Sequence, residues 1–402
     1  MSSIAIFPCS FTPAAAIISE LAKTLELEVY DDENLLADAA RVQGISLEKL
    51  RPMMYGKTSV FNQFTLEKEK AVNLFKSVLL EKLEDSKPCL FHGFLTLLIA
   101  PRVTHVLKVL LADTRQGRIA RAIDAGMTER EAKKAVKGDD VSAYYWTDFL
   151  FKKEAYDSSL YDLVIPVEGK SAADVTDTIV KCLHTTSVLR TPESMSAVQD
   201  CQIAVEIEKL LLSAGHKVAV SCLAGEVTLT VEKSVLNFGK LATELTELAE
   251  KVGGVKRVQV EKSANYIDSI YRQQKFELPS KVLFVDDEKD FVQTVSERLI
   301  SRDVGTYGVF DGQDALELIT EDRPDVMVLD LKMPGLHGVE VLRRTKELAP
   351  DVEVIILTGH GSSQDMKECM ELGAFAYMNK PVDIEELSAT IKAANEKVHH
   401  KS

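Results

Sequence analysis

KVLFVDDEKD (281–290) sets the reading of this chain: four apolar residues, Val282 to Val285, stop abruptly at two aspartates. The pattern recurs. VMVLDLKMPG (326–335) ends its apolar run at Asp330, VIILTGHG (354–361) at Thr358, and FAYMNK (375–380) reaches Lys380 two residues after Met378. Longer stretches of helical periodicity, such as Phe291 to Ile300 and Val339 to Leu348, lie between the runs. Short apolar strands alternating with helices predict a parallel sheet covered on both faces. The polar residues that end each run then gather at one edge, beyond the carboxyl ends of the strands, where open α/β sheets bind ligands.

Asp286, Asp287 and Asp330 brought together at that edge repel one another unless a cation neutralises them. Oxygen donors without histidine or cysteine suit a hard ion, and Mg²⁺, held by a few carboxylates while keeping waters, fits best. Lys380 adds a second positive charge, and the Thr358 hydroxyl can donate a hydrogen bond to a phosphoryl oxygen. A carboxylate nucleophile for a phosphoryl group uses all of these residues at once. Each also has a structural explanation by itself: paired aspartates cap turns, Thr358 before Gly359 can end a strand, and Lys380 before Pro381 can sit in a solvated loop. Four polar positions at four successive strand ends favour the site.

VDDE, VLDLKMPG, ILTGHG and AYMNKP, in this order and spacing, resemble the receiver domain of two-component response regulators over nearly all of residues 281–398. The resemblance implies that Asp330 is the phosphoacceptor and that Asp286, Asp287, Asp330 and the Lys332 backbone carbonyl hold Mg²⁺. It also implies that Thr358 and Lys380 contact the phosphoryl group, and that Thr358 and Tyr377 form a switch. Lys332 and His360 occupy positions that modulate dephosphorylation in this family. The implied donor is a sensor histidine kinase or phosphotransfer protein.

The 402 residues exceed one ordinary domain by a factor of two to three, so several cores are expected. Two polar, aperiodic stretches, residues 184–196 and 265–280, read as linkers. They divide the chain into 1–185, 197–264 and 281–398.

The first region opens with a strand at Ile4 to Phe7, a helix at Ala14 to Thr24 and a second strand at Leu27 to Tyr30. The intervening loop, PCSFTPAAA (8–16), stands where a phosphate-binding loop would. It lacks both a glycine to wrap a phosphate and a basic residue to meet its charge. IAIF, LELEVYDDENLLADAA, FHGF, VLKVLLADTRQGRIARAIDAGMTEREAKKAVKGDDVSAYYW and SSLYDLVIPVEG resemble the cytidylate-kinase-like branch of nucleoside monophosphate kinases. The departures fall on charge-handling positions: Phe94 follows Gly93 where arginine is common, and Val141, Ser142 and Ala143 follow Asp140. Arg115, Arg118 and Arg121 share a helical face, able to touch an anion or simply solvated. The favoured reading is a degenerate, non-catalytic P-loop-kinase-like domain; the alternative is a receiver-regulated nucleoside monophosphate kinase.

The middle region orders itself helix, strand, strand, helix, strand, and VSCLAGEVTLTVE with VGGVKRVQVE resembles the BON domain family. Such domains imply binding of a protein or small ligand rather than catalysis. The expected whole is an α/β multidomain chain: an N-terminal kinase-like α/β domain, a small α+β middle domain and a C-terminal doubly wound, flavodoxin-like (βα)5 receiver.

Composition limits the partners. Ten of the fourteen net negative charges lie in residues 281–402, with 24 acidic against 14 basic side chains. No broad basic footprint for nucleic acid is present, nor a helix-turn-helix with basic recognition residues. Six widely spaced cysteines suggest a reduced compartment. The amino terminus lacks a secretory pattern, and the most apolar stretch, 91–100, is too short to span a bilayer. A cytoplasmic protein signalling through a downstream protein or small ligand, with a homodimer as one admissible assembly, is the resulting expectation.

Overall fold

The computed structural model describes all residues except 1, 85–86, 186–187, 233–237, 264–280, 301, 303, 360–362 and 401–402. The second expected linker, 265–280, therefore lies outside the described residues. Two compact units emerge: residues 1–58 with 67–271, and residues 59–66 with 272–402.

The first unit contains two sheets. Strands β1 (Ser3–Pro8), β2 (Glu28–Asp31), β3 (Cys89–His92), β4 (Val106–Ala112) and β5 (Leu163–Pro166) form a parallel sheet in the order β2-β3-β1-β4-β5. The central strand β1 is buried along its first five residues, as expected for a run apolar on both faces. One core lies on each side: Phe7, Phe75, Phe91 and Trp146 on one, Ile6, Ile17, Leu21 and Ile179 on the other.

The second sheet joins β6 (Ala219–Leu223) antiparallel to β7 (Glu226–Val231) and β7 parallel to β8 (Arg257–Lys262). Ala224 and Gly225, both at positive φ, make the tight β6–β7 turn. Asp200 anchors that turn by accepting the N–H groups of Ala224 and Gly225 at 2.9 and 3.2 Å.

One helix serves both cores. Pro192–Ser213 places Ala197, Val198 and Val205 in the first and Ile207 and Leu211 in the core of the second sheet. It begins inside the stretch 184–196 expected to be a linker. The local reason is a helix-start signal: Thr191 accepts the Ser194 N–H, and Pro192 occupies the first turn. Asn73 of the helix Glu67–Glu84 reaches across to the Val205 carbonyl and the Glu208 carboxylate at 2.9 and 3.1 Å.

The second unit carries β9 (Val282–Val285), β10 (Thr306–Val309), β11 (Val326–Leu329), β12 (Glu353–Thr358) and β13 (Ala376–Asn379) in one parallel sheet, ordered β10-β9-β11-β12-β13. Apolar clusters cover both of its faces. Edge strand β10 was absent from the four apolar runs because TYGV is short and only its first residue is buried. Among the described residues no helix is long and apolar enough to cross a membrane.

At the start of β4, buried His105 shares a 2.6 Å hydrogen bond between its Nδ1 and Ser194 Oγ, while its backbone N–H donates to the same oxygen at 3.1 Å. Burial, helped by the Arg190 charge, lowers its pKa from 6.5 to about 4. The folded state therefore keeps His105 neutral while the unfolded chain takes up a proton below about pH 6.5. Its contribution is full above that pH and is lost as pH falls toward 4. Between pH 7 and 5 the first unit should lose about 2 kcal/mol from this group alone. Urea midpoints should report a shallower pH slope in His105→Gln; an unchanged slope would refute the assignment.

Candidate functional site

The carboxyl ends of β9, β11, β12 and β13 bring the expected residues to one edge. Asp286 follows β9, and its backbone N–H donates to the Val309 carbonyl. Asp330 follows β11 and donates from its N–H to the Val285 carbonyl at 2.9 Å. Thr358 closes β12 with its side chain fully buried, and its carbonyl accepts the Lys380 N–H at 2.9 Å. These backbone bonds tie four residues scattered over 95 positions into one register.

Lys380 is the hub. Its Nζ lies 2.7 Å from Asp286 Oδ2, 2.9 Å from Glu288 Oε1 and 3.2 Å from Asp330 Oδ2. The ammonium also sits 4.2 Å above the Phe291 ring. One cation thus neutralises two buried carboxylates and an exposed third. Burial by itself would favour the neutral amine, but hydrogen bonds to Asp286 and Glu288 outweigh it and raise the lysine pKa. Burial pushes the Asp286 carboxyl up, against the pull of Lys380. Its Oδ1 is engaged by the Glu288 N–H at 3.0 Å, and Asp330 Oδ1 by the Lys332 N–H at 3.3 Å.

Asp286, Asp287 and Asp330 each offer a carboxylate oxygen within 4.8 Å of the others. The set is oxygen-only and partly open, which fits a hydrated Mg²⁺ better than a transition metal. Tyr377, on β13 next to this edge, is half-buried against the apolar cluster below. Its hydroxyl is enclosed without a hydrogen-bond partner among the described residues. His360 lies outside the described residues.

The corresponding edge of the first unit looks different. Arg118, whose side chain is 3% exposed, donates to the Ser10 carbonyl at 2.9 Å, Ser10 Oγ at 2.6 Å and Asp140 Oδ1 at 2.7 Å. Arg121 donates to the Phe11 carbonyl at 2.8 Å and pairs with Asp113. Arg118 and Arg121 of the helix Arg115–Asp124 therefore hold the loop after β1 closed. This corrects the solvated-face alternative for Arg118 and Arg121; Arg115 alone of the three is exposed.

Phe94 stacks on Phe7 with ring centres 5.3 Å apart, and its carbonyl accepts the Trp146 indole N–H at 2.8 Å. Asp32 is buried beside it, accepting N–H groups from Phe94 and Leu95 at 2.8 and 3.0 Å and the Tyr55 hydroxyl at 3.1 Å. Burial raises its pKa to about 6. The φ of 116° at Gly93 leaves room for that carboxylate, since a Cβ there would collide with it.

A family model described as "Response regulator receiver domain" matches residues 282–392. Sporulation initiation phosphotransferase F of Bacillus subtilis (strain 168) is 36% identical over 112 residues, which are 28% of this chain and 90% of that protein. The chain belongs to the response-regulator receiver family. Its receiver also resembles solved receiver domains from Methanospirillum hungatei JF-1, at 24% identity and a TM-score of 0.30, and Clostridium thermocellum, at 34% and 0.30. The first covers 31% of this chain and 98% of that one, the second 31% and 99%. A second family model, "Cytidylate kinase-like family", matches residues 12–168.

Glu288 and Phe291 went unnoticed in the sequence reading of the receiver site. Glu288 is the third acidic residue of VDDE, and only the placement of Lys380, 92 positions away, reveals its partner. Gly338 is a further structural support. A Cβ there would stand 2.3 Å from the Asp330 carbonyl oxygen, both being backbone-bound positions with little freedom to retreat. Gly338→Ala should therefore destabilise the receiver by about 1–3 kcal/mol, read as a lower urea midpoint. Unchanged stability would mean that the Asp330 loop relaxes freely.

Proposed function

We propose that this protein is a two-component response regulator whose Asp330 accepts a phosphoryl group from a histidine kinase or phosphotransfer protein. The observation that carries this reading is the meeting of Lys380 Nζ with Asp286 and Asp330 beside Asp287. In the transfer, an Asp330 carboxylate oxygen bonds to phosphorus as the phosphorus–nitrogen bond to the donor imidazole breaks. The imidazole leaves with the electron pair. Mg²⁺ held by Asp286, Asp287, Asp330 and the Lys332 carbonyl would offset the charge of the incoming group.

Lys380 exchanges a carboxylate partner for a phosphoryl oxygen, and Thr358 donates its hydroxyl to another. Thr358 moving inward opens space that Tyr377 can enter; its unpartnered hydroxyl leaves the ring no polar bond to break.

The closed, glycine-free loop of the first unit supports a binding role there rather than phosphoryl transfer to a nucleotide. Arg118 and Arg121 already spend donors on Ser10, Phe11, Asp113 and Asp140. The organisation consistent with this is a kinase-like region over 1–185, a BON-like region over 197–264 and the receiver over 281–398. The signal is passed to a downstream protein or small ligand in the cytoplasm, without DNA contact.

Acetyl phosphate with Mg²⁺ should add one acid-labile phosphoryl group to the full chain, seen by intact-mass spectrometry. EDTA and Asp330→Asn should each abolish it, and Lys380→Ala should slow labelling about a hundredfold. An unlabelled wild type refutes the phosphoacceptor role. Calorimetry with ATP and CMP should give no binding heat; tight ATP binding with CMP turnover would reinstate the gated kinase.

A further inference from the structure

The receiver unit includes a segment from far upstream, residues 59–66. Within it Asn62–Thr65 forms one helical turn, and Ser59 Oγ accepts the Phe61 N–H at 3.0 Å. Phe61 is fully buried in the same apolar cluster as Leu283, Val285, Ile319 and Leu329. Its ring meets Tyr307 edge-on at 6.0 Å. The Val60 N–H donates to Asp322 Oδ2 at 2.8 Å, at the end of the helix Gly312–Glu321. The Phe64 ring lies on Gly305, where a Cβ would come within 2.6 Å of it.

An aromatic wedge, a polar latch and a glycine landing are the parts of a docked peptide rather than of an incidental contact. The seat lies beside the beginning of the edge strand β10, which it meets through the Tyr307 ring and through Gly305 just before the strand.

The seat is continuous with the phosphoryl site. The cluster that holds Phe61 also holds Val285 before Asp286 and Leu329 and Leu331 on either side of Asp330, and Tyr377 packs against it. A close-packed core transmits a displacement at one margin to the other, because it has no void to absorb it. We propose that the turn Ser59–Leu66 is an intramolecular ligand of the receiver, and that its seating is coupled to the phosphorylation state of Asp330. This rests on the reading of Asp330 as phosphoacceptor. The turn is continuous in sequence with the helices Leu47–Tyr55 and Glu67–Glu84. It thus gives the receiver an output contact within its own chain. Coupling of this kind is reciprocal: whatever phosphorylation does to the turn, loosening the turn must do in return to phosphorylation.

Hydrogen exchange on the full chain tests the seat and the coupling separately. Phe61→Ala should speed exchange at Val60 and at Thr306–Val309 by about tenfold or more while leaving Leu387–Ile391, in the apolar cluster on the other face of the sheet, unchanged. Acetyl phosphate with Mg²⁺ should change exchange of Val60–Thr65 about fivefold or more in the wild type and not in Asp330→Asn. Phe61→Ala should shift the steady-state phosphoryl label by a similar factor. Labelling of Asp330 with neither the turn's exchange nor the Phe61→Ala label altered would overturn the coupling while leaving the phosphoacceptor role standing. No label in the wild type would overturn both. If Phe61→Ala does not fold, Gly305→Ala, whose Cβ would meet the Phe64 side chain first, should give the same shifts; their absence would again overturn the proposal.

Discussion

Like-charge repulsion among buried carboxylates is the constraint around which the receiver is organised. Asp286 and Asp330 are both nearly inaccessible to water, where an uncompensated pair of anions is costly. Lys380 resolves the conflict by reaching both from the end of a different strand. Parallel pairing of β9, β11, β12 and β13 sets that reach, and the hydrogen bond from Lys380 N–H to the Thr358 carbonyl holds its base. A site stabilised in this way is also poised. Its charges are gathered at one edge and partly desolvated before any ligand arrives.

The first unit meets a similar problem with the opposite outcome. Its arginines face a loop rather than an open pocket, and each finds carbonyls and carboxylates of its own chain. Arg118, almost wholly enclosed, has a carboxylate in Asp140 and two acceptors in Ser10. A loop stands at the carboxyl end of the central strand of this parallel sheet, and Arg118 and Arg121 bind it. Phe94 adds an apolar contact beside that edge, stacking on Phe7.

The helix Pro192–Ser213 illustrates how local and tertiary signals can disagree. Polar residues before it suggested a linker, yet Thr191 and Pro192 start a helix there, and Ala197, Val198 and Val205 bury against the first core. The part of the helix inside that stretch, Pro192 to Ser196, is mostly polar and buries only Ser194, too little to show a period, whereas the spacing from Val198 to Leu212 reads as helical.

The alternation of short apolar runs with amphipathic helices was sufficient to determine a parallel α/β sheet, and the residues ending those runs are the ones the structure brings to its carboxyl edge. Asp286, Asp287, Asp330, Thr358 and Lys380 were legible because strand ends in a parallel sheet converge by geometry, whatever the loops do. The missing glycines of the loop at 8–16 were equally plain, because an absent residue type needs no structure to notice. Only tertiary structure decided the partners of long side chains. Glu288 beside Lys380, Arg118 on Ser10 and Asp140, and Phe61 in a core more than two hundred residues downstream all depend on distances that sequence separation does not encode. Edge strand β10 belongs with them: four residues of which only the first is buried carry too little periodicity to be recognised until a neighbouring strand supplies the hydrogen bonds.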